Sequence, residues 1–441
     1  MNHQRPVHRR LRIDAQATAD ASGTREGPVS LLIEIEEPEP QNRPHDGTQT
    51  RVVRSARLLA VGDQSLEADE VIDRPGAVLI PGLVNAHSHL DLTAIGPIPH
   101  EPADGFVSWI QRVRDLRPSN ETEIRSSVAE GVRLSLAGGV VAVGDIAGAV
   151  QGRPSLFAAE ALSESPLWGT SYVELFGIGV ASETTLAALP DLAGRVRAWR
   201  RPRLRLGLEP HAPYSVAPDV FEAVAALGLP LATHLAESPE ESRFVAEGVG
   251  PMRKFLEMLD LWDEGVAVGA GRTPVGHLDS FLRSAGSRSL VVHCNNLSKK
   301  DIQILVNARA MVAYCPRASA YFDAPGAFGP HRYQELFEAG VEVCLGTDSI
   351  LNLDTPDRIS PLDDARLIYR RDGFDPQRLL SMCTSSAAAA VGLDPRRFLV
   401  AEGAELAALA AVPADTRAGD PAGRVLESDS APELLFVRSE S

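Results

Sequence analysis

The segment Pro81-Gly82-Leu83-Val84-Asn85-Ala86-His87-Ser88-His89 closes an apolar run with two histidines one residue apart. In an extended chain successive side chains alternate, so His87 and His89 project to one side and can share a metal ion. Taken alone, the pair reads as well as two loop histidines. Three more histidines, His211, His234 and His293, and the carboxylate of Asp348 stand at the ends of later apolar runs, so five of the 11 histidines keep one register. Imidazole nitrogen and carboxylate oxygen suit a borderline divalent ion such as zinc, with a position left over for water. Such a water ionises with a pKa of about 7 and becomes a hydroxide nucleophile. Hydrolysis also needs a group that moves the water's proton to the leaving side. Glu237, in Thr233-His234-Leu235-Ala236-Glu237, is placed for it. The alternative for Glu237 is a first-turn carboxylate on the following helix.

These residues are far apart in the chain, and the elements between them must bring them together. From residue 77 to 395, brief apolar runs alternate with longer stretches of helical period. The runs are Val78–Ala86, Val140–Asp145, Ser171–Phe176, Leu204–Pro210, Pro230–His234, Leu290–His293, Met311–Cys315 and Val341–Gly346. Strands buried on both faces read as continuous apolar runs, and eight of them separated by helices predict a parallel (β/α)8 TIM barrel, with an open doubly wound sheet as the alternative. In such a barrel, catalytic groups collect at the C-terminal ends of the strands, where these candidates fall. Residues 1–76 and the chain after Pro413 are polar and turn-rich but hold β-like runs, among them Val29–Ile35 and Glu433–Val437, so the two flanks, 1–76 and 396–441, are expected to pair into one accessory sheet. The first two dozen residues read as loosely held and Pro38–Thr48 as a loop. The tract Thr384–Val391 reads as a small-residue helix packed closely on a neighbour. Gly177-Ile178-Gly179 and Gly269-Ala270-Gly271 fail to complete G-x-G-x-x-G and read as loops.

Over 441 residues, 44% are apolar and 23% charged, a balance that can bury a large core and excludes a disordered chain. The net charge of -16 repels polyanions, which argues against nucleic acid and anionic membranes and favours a small-molecule ligand. No stretch approaches the roughly 18 apolar residues of a membrane span. Cys294, Cys315, Cys344 and Cys383 form no C-x-x-C pair, so neither a thiolate zinc site nor a disulfide framework is expected. With no apolar region after the basic start His8-Arg9-Arg10, the expected location is the cytoplasm. A homo-oligomer is left open.

The succession PGLVNAHSH, HAPYS, THLAES, VVHCNNLS, CPRAS and LGTDS resembles the amidohydrolase superfamily, in its cytosine-deaminase and chlorohydrolase-like branch. The resemblance implies a (β/α)8 barrel with a β-sandwich built from both termini. It implies one divalent ion, zinc with iron as the alternative, held by His87, His89, His234 and Asp348. It further implies that Glu237 is the proton shuttle, that His293 polarises the attacked centre or steadies the hydroxide, and that His211 contacts substrate. A carboxylated lysine bridging two metals is excluded, because no lysine precedes Lys254. Glu209 lies two residues before His211, either as a carboxylate for a second metal or as a partner of a ligand histidine.

Within the branch, HAPYS together with Glu174 in Val173-Glu174-Leu175-Phe176-Gly177 looks most like the aminodeoxyfutalosine deaminases. That likeness implies hydrolytic deamination of a purine-like nucleoside. An amide or triazine-type carbon–chlorine hydrolase, or a non-catalytic binding relative, is the alternative. Phe106 and Trp109 are expected to wall a flat base, or else to be core. Arg317 is expected to grip a substrate carboxylate, or else to be a surface arginine, and Asp91 to support the ligands. Where the family returns to its sandwich through glycine-alanine-aspartate, this chain has Glu402-Gly403-Ala404-Glu405-Leu406-Ala407, so the returning strand is expected to be altered or short.

Overall fold

A computed structural model describes residues 7–37, 50–414 and 419–438; the loop expected over Pro38–Thr48 lies outside these ranges. Six strands come first: β1 (Val7–Asp20), β2 (Gly23–Arg25), β3 (Val29–Glu37), β4 (Arg51–Val53), β5 (Ser55–Gly62) and β6 (Glu70–Pro81). Eight parallel strands follow: β7 (Leu83–Ser88), β8 (Val140–Ala147), β9 (Trp168–Leu175), β10 (Leu204–Pro210), β11 (Leu231–Leu235), β12 (Ser289–His293), β13 (Met311–Tyr314) and β14 (Val343–Leu345). The chain ends with β15 (Ala408–Pro413) and β16 (Glu433–Arg438).

Strands β7 to β14 pair in chain order, with helices between them, as the apolar runs predict. β8 and β9 are buried along their whole length, the signature of strands covered on both faces. The barrel closes at its C-terminal rim, where Ser88 pairs in parallel with Asp348. There the amides of Thr347 and Asp348 donate to the carbonyl of His87 at 3.0 and 3.1 Å. The buried amide of Asn85 reinforces the seam, donating to Thr347 Oγ1 at 2.8 Å and accepting the Thr347 N–H at 3.1 Å. The closing seam of the barrel is therefore also the place where the first and last candidate ligands meet. The small-residue helix Ser385–Ala390 packs on β7 and β14, as expected, with Ala387 and Ala388 fully buried.

The run Val78–Ala86 is not one strand. It divides at Gly82, with β6 in the accessory sheet and β7 in the barrel, so the barrel starts at Leu83 and not at 77. A Cβ at Gly82 would stand 2.7 Å from the Cβ of Ala408 and 2.8 Å from Val141 Cγ2, which leaves room only for glycine at this crossing.

The accessory sheet runs β4-β16-β15-β6-β1-β3-β5, with β2 attached to β1, and so combines both flanks. It folds round until its β5 edge meets residues 403–406. The Leu58 N–H donates to Ala404 O at 3.0 Å, and the Leu406 N–H donates to Ala56 O at 2.8 Å. The stretch Glu402–Ala407 thus supplies the closing contact, and β15 begins directly after it. Inside lies a separate apolar core that includes Ile13, Leu31, Ile33, Leu409 and Phe436, the β3 members alternating as the period of two demands. The expectation of a loosely held N-terminus is corrected for the described residues: β1 is an interior strand between β6 and β3. Among the described residues, no helix is long and apolar enough to cross a membrane.

Replacing the fully buried Phe436 by alanine should cost about 3–5 kcal/mol. A lowered urea midpoint, with unchanged metal content in the folded protein, is the expected outcome, because the sandwich core lies apart from the barrel rim.

Candidate metal centre and active site

His87 and His89 leave the end of β7, His234 sits in β11, and Asp348 follows β14 by three residues. Their polar atoms converge. The Nε2 atoms of His89 and His234 face each other at 3.3 Å, and Asp348 Oδ1 lies 3.6 Å from His87 Nε2 and 3.5 Å from His89 Nε2. Two donors about 2.0–2.1 Å from one zinc ion, at the tetrahedral angle, stand about 3.3–3.4 Å apart, so these spacings are those of a coordination shell. His87 is 1% exposed, yet neither of its ring nitrogens has a hydrogen-bond partner. Buried polar atoms without partners are rare unless something else satisfies them, and a cation would do so here. The residues fit a divalent metal.

Burial holds the imidazoles of His89 and His234 neutral, which leaves lone pairs for a metal. It lowers His89 to about 3, helped by the adjacent His87, and carries His234 well below its ordinary value, with His211 and His87 adding to the effect. Burial opposes ionisation of Asp348, but the neighbouring His87, His89 and His293 outweigh it and bring its carboxyl below the usual range. Behind His234, Nδ1 lies 3.0 Å from Glu209 Oε1 and 3.3 Å from His211 O. A proton on Nδ1 has the His211 carbonyl as its acceptor, with the Glu209 carboxyl alongside, and Nε2 is left free on the metal side. Glu209 stands behind this ligand, away from the converging Nε2 atoms, and burial followed by the charge of Glu174 pushes its carboxyl well up.

Glu237, just past the end of β11, places Oε1 3.4 Å from His293 Nε2. Burial, then the negative charge of Asp348, raises the Glu237 carboxyl well above its ordinary value. Burial lowers His293 to about 3. The backbone here is strained: Ala236, His293, Cys294 and Asp348 all take left-handed φ between 54° and 70°. Each costs about 1–3 kcal/mol and persists only where the surroundings enforce it. At β12 the enforcing group is the buried ring of His331, whose Nε2 donates to His293 O at 2.9 Å while the ring stacks on Tyr314.

A cleft of about 1060 Å3 opens over this centre, and His89, His234, Glu237 and Asp348 line its floor. Phe106 and Trp109, from the helix Phe106–Leu116, stack at 5.8 Å and form part of its wall. Phe106 also meets Tyr214 edge-on, so the two rings belong to an apolar cluster and to the lining at once. Glu174 and His211 line the cleft, with His211 Nε2 3.8 Å from Glu174 Oε1. Glu174 accepts from Arg117 Nη1 at 3.0 Å and from the Ala149 N–H at 2.7 Å. Burial resists its charge, but Arg117 and His211 hold its carboxyl below the ordinary range. Asp91 sits 3.5 Å from the other side of the Arg117 guanidinium and supports that arginine.

Arg317 is a correction. It lies in the helix Pro316–Tyr321, is 7% exposed and does not line the cleft. Its guanidinium is committed to Asp364 Oδ2 at 2.8 Å, Ser360 O at 3.0 Å and Thr355 Oγ1 at 2.9 Å. It ties β13 to the helix Pro361–Asp372 and has no donor left to grip a substrate. Arg117, Tyr214, His331 and Glu241 belong to the site without having been singled out in the sequence. Only Glu241 carried a signal, the Ser238-x-x-Glu241 spacing of a helix capping box.

A barrel with histidines and an aspartate converging at its C-terminal rim defines a metal-dependent hydrolase architecture. Residues 78–424 match the amidohydrolase family, and the chain belongs to it. It is 33% identical over 339 residues to the aminodeoxyfutalosine deaminase of Deinococcus radiodurans, covering 73% of this chain and 75% of that one. It is 27% identical to a 5'-deoxyadenosine deaminase of Methanothermobacter thermautotrophicus, covering 85% of this chain and 78% of the relative. Among solved structures, the aminofutalosine deaminase of Helicobacter pylori superposes with a TM-score of 0.67 at 18% identity, over 96% of this chain and 98% of that one. An atrazine chlorohydrolase of Arthrobacter aurescens complexed with zinc superposes with a TM-score of 0.71 at 19% identity, over 97% and 95%. At such identities the superpositions speak to the fold alone.

Two substitutions follow from this geometry. Arg317→Ala leaves the fully buried Asp364 without its cation and should destabilise the fold by about 3–5 kcal/mol, with an unaltered KM in the remaining folded enzyme. A Cβ at Gly346 would stand 2.7 Å from the Cβ of His87 and 3.0 Å from its backbone nitrogen. Gly346→Ala should therefore lower the bound metal per chain, measured after dialysis, while the circular dichroism spectrum is retained.

Proposed function

We propose that this enzyme hydrolytically deaminates a purine-type nucleoside, with the aminodeoxyfutalosine that names its Deinococcus relative as the leading substrate. The observation that carries the reading is the placement of Glu237 and His293, 3.4 Å apart, beside the converging His87, His89, His234 and Asp348, with His89, His234, Glu237 and Asp348 on the floor of one cleft. Those four residues would hold one divalent ion, zinc first and iron second. When bound, the ion lowers the pKa of a water molecule and stabilises negative charge that develops on the attacked centre.

The chain's own groups supply the rest. Deamination at an amidine carbon forms a carbon–oxygen bond from water and breaks the carbon–nitrogen bond, releasing ammonia. Glu237 takes the water's proton and delivers it to the ring nitrogen. Burial raises the Glu237 carboxyl above its ordinary value, which makes its carboxylate a stronger base toward the water's proton, as a shuttle requires. His293, neutral and next to Glu237, donates a hydrogen bond toward the developing oxyanion. Phe106 and Trp109 offer a flat apolar surface for the base. His211 contacts the substrate, and Glu174, ionised beside Arg117, accepts hydrogen bonds from its hydroxyl groups. Arg114 and Arg153 on the cleft lining suit a substrate that also carries an acidic group. Four buried free cysteines fit a reducing compartment, and we place the enzyme in the cytoplasm, as a monomer or homo-oligomer.

The test is ammonia release across a panel of 6-aminopurine nucleosides that includes aminodeoxyfutalosine, with metal measured on the same sample. Glu237→Gln should lower turnover by about 10²–10⁴-fold with metal content unchanged. Undiminished turnover would remove Glu237 from the mechanism. Chloride release from a chlorotriazine, with no ammonia from any nucleoside, would transfer the site to halide hydrolysis.

A further inference from the structure

Glu237 follows a left-handed residue, Ala236 at φ 54°, which no glycine relieves. Something must hold this turn, because its position sets where the Glu237 carboxyl lies relative to His293. Both amides of the turn donate to one side chain: the Ala236 N–H to Glu241 Oε1 at 2.9 Å and the Glu237 N–H to Glu241 Oε2 at 2.6 Å. From the other side, Asn295 Nδ2 donates to Glu237 O at 3.0 Å, and Asn295 is itself fixed by Ser319 Oγ at 2.8 Å. The peptide groups on both sides of the Glu237 Cα are thus clamped, by a carboxylate on one and by an amide on the other.

We infer that Glu241 is the positioning residue for Glu237, an assignment that rests on the shuttle reading above. Glu241 lies in the first turn of the helix Pro239–Glu247, where the hydroxyl of the N-cap Ser238 accepts its N–H at 3.1 Å. An ordinary capping carboxylate reaches back to the N-cap amide and sits at the surface at little cost. Glu241 reaches further, to the two residues before Ser238, and is 0% exposed. Burial pushes its carboxyl up to about 7, against the pull of the amides it accepts from. A buried carboxylate is costly unless it is fully used, and here both oxygens are spent on the turn that carries Glu237. Glu241 does not line the cleft, and the hydrogen bonds of its side chain go to the turn itself, so it acts through Glu237.

Glu241→Gln keeps the volume but leaves one acceptor oxygen and turns an amide NH2 toward a backbone N–H. Displacement of a reacting group by about 1 Å costs up to about 10²-fold in rate, so kcat should fall about 10- to 100-fold. KM should stay within about twofold and bound metal should be unchanged, because neither depends on the placement of Glu237. A simple helix cap and a positioning residue separate in a double-mutant cycle. In a Glu237→Ala background, Glu241→Gln should lower the residual rate no further.

Wild-type kcat in Glu241→Gln, or an equal loss in the Glu237→Ala background, overturns the inference. An active Glu237→Ala enzyme overturns the shuttle reading and this inference with it. An inactive Glu237→Ala enzyme beside a fully active Glu241→Gln enzyme overturns the inference alone. Should Glu241→Gln fail to fold, Asn295→Ala loosens the same turn from its carbonyl side and is judged by the same criteria.

Discussion

Lone pairs of buried imidazoles cannot be turned toward one another, and toward a carboxylate, without something positive between them. The facing Nε2 atoms of His89 and His234, with Asp348 beside them and His87 unpartnered, form a concentration of acceptors that water at this depth would satisfy poorly. A divalent cation turns this unfavourable arrangement into a stable one, and much else in the molecule can be understood as keeping it in place. The Asn85–Thr347 pair draws β7 to β14, the His211 carbonyl holds the rear of His234, and His331 pins the backbone of His293.

The same constraint explains where the chain accepts strain. Of the described residues with left-handed φ that are not glycine, Ala236, His293, Cys294 and Asp348 lie at the ends of β11, β12 and β14 around the metal centre. Extended strands would carry their last side chains on outward, whereas a left-handed residue turns the chain back over the barrel mouth. Side chains and backbone amides from the next element pay for that turn. The sandwich serves the site from a distance. Its β6 leads directly into Gly82, whose N–H β15 holds through Ala408 O at 3.1 Å, so β7 enters the barrel at a fixed height, and with it His87 and His89.

Much of this was legible in the sequence because it is local. A period of two places His87 and His89 together, and eight apolar runs ending in chemistry-bearing residues call for a barrel with a populated rim. Legibility fails where the partner is remote. Nothing near Arg317 announces Asp364, 47 positions later in the chain, so a structural ion pair resembled a ligand-binding arginine. Arg117 at a helix end, and His331 between two short helices, likewise have no local pattern and acquire meaning only through Glu174 and His293. Gly82 hid a crossing between two sheets inside one apolar run, because hydrophobicity is continuous across it. Glu402–Ala407 departed from the family's usual wording, yet it closes the sandwich through backbone hydrogen bonds, which tolerate such a change of side chains.

The central claim, that these four side chains form one metal shell, is tested most directly by X-ray absorption at the metal edge of the purified protein. The expected spectrum is that of one ion per chain with a nitrogen and oxygen shell at about 2.0–2.1 Å and the outer-shell scattering of several imidazoles. A sulfur contribution at about 2.3 Å, or a shell of oxygen alone, would place the ion elsewhere and contradict the claim.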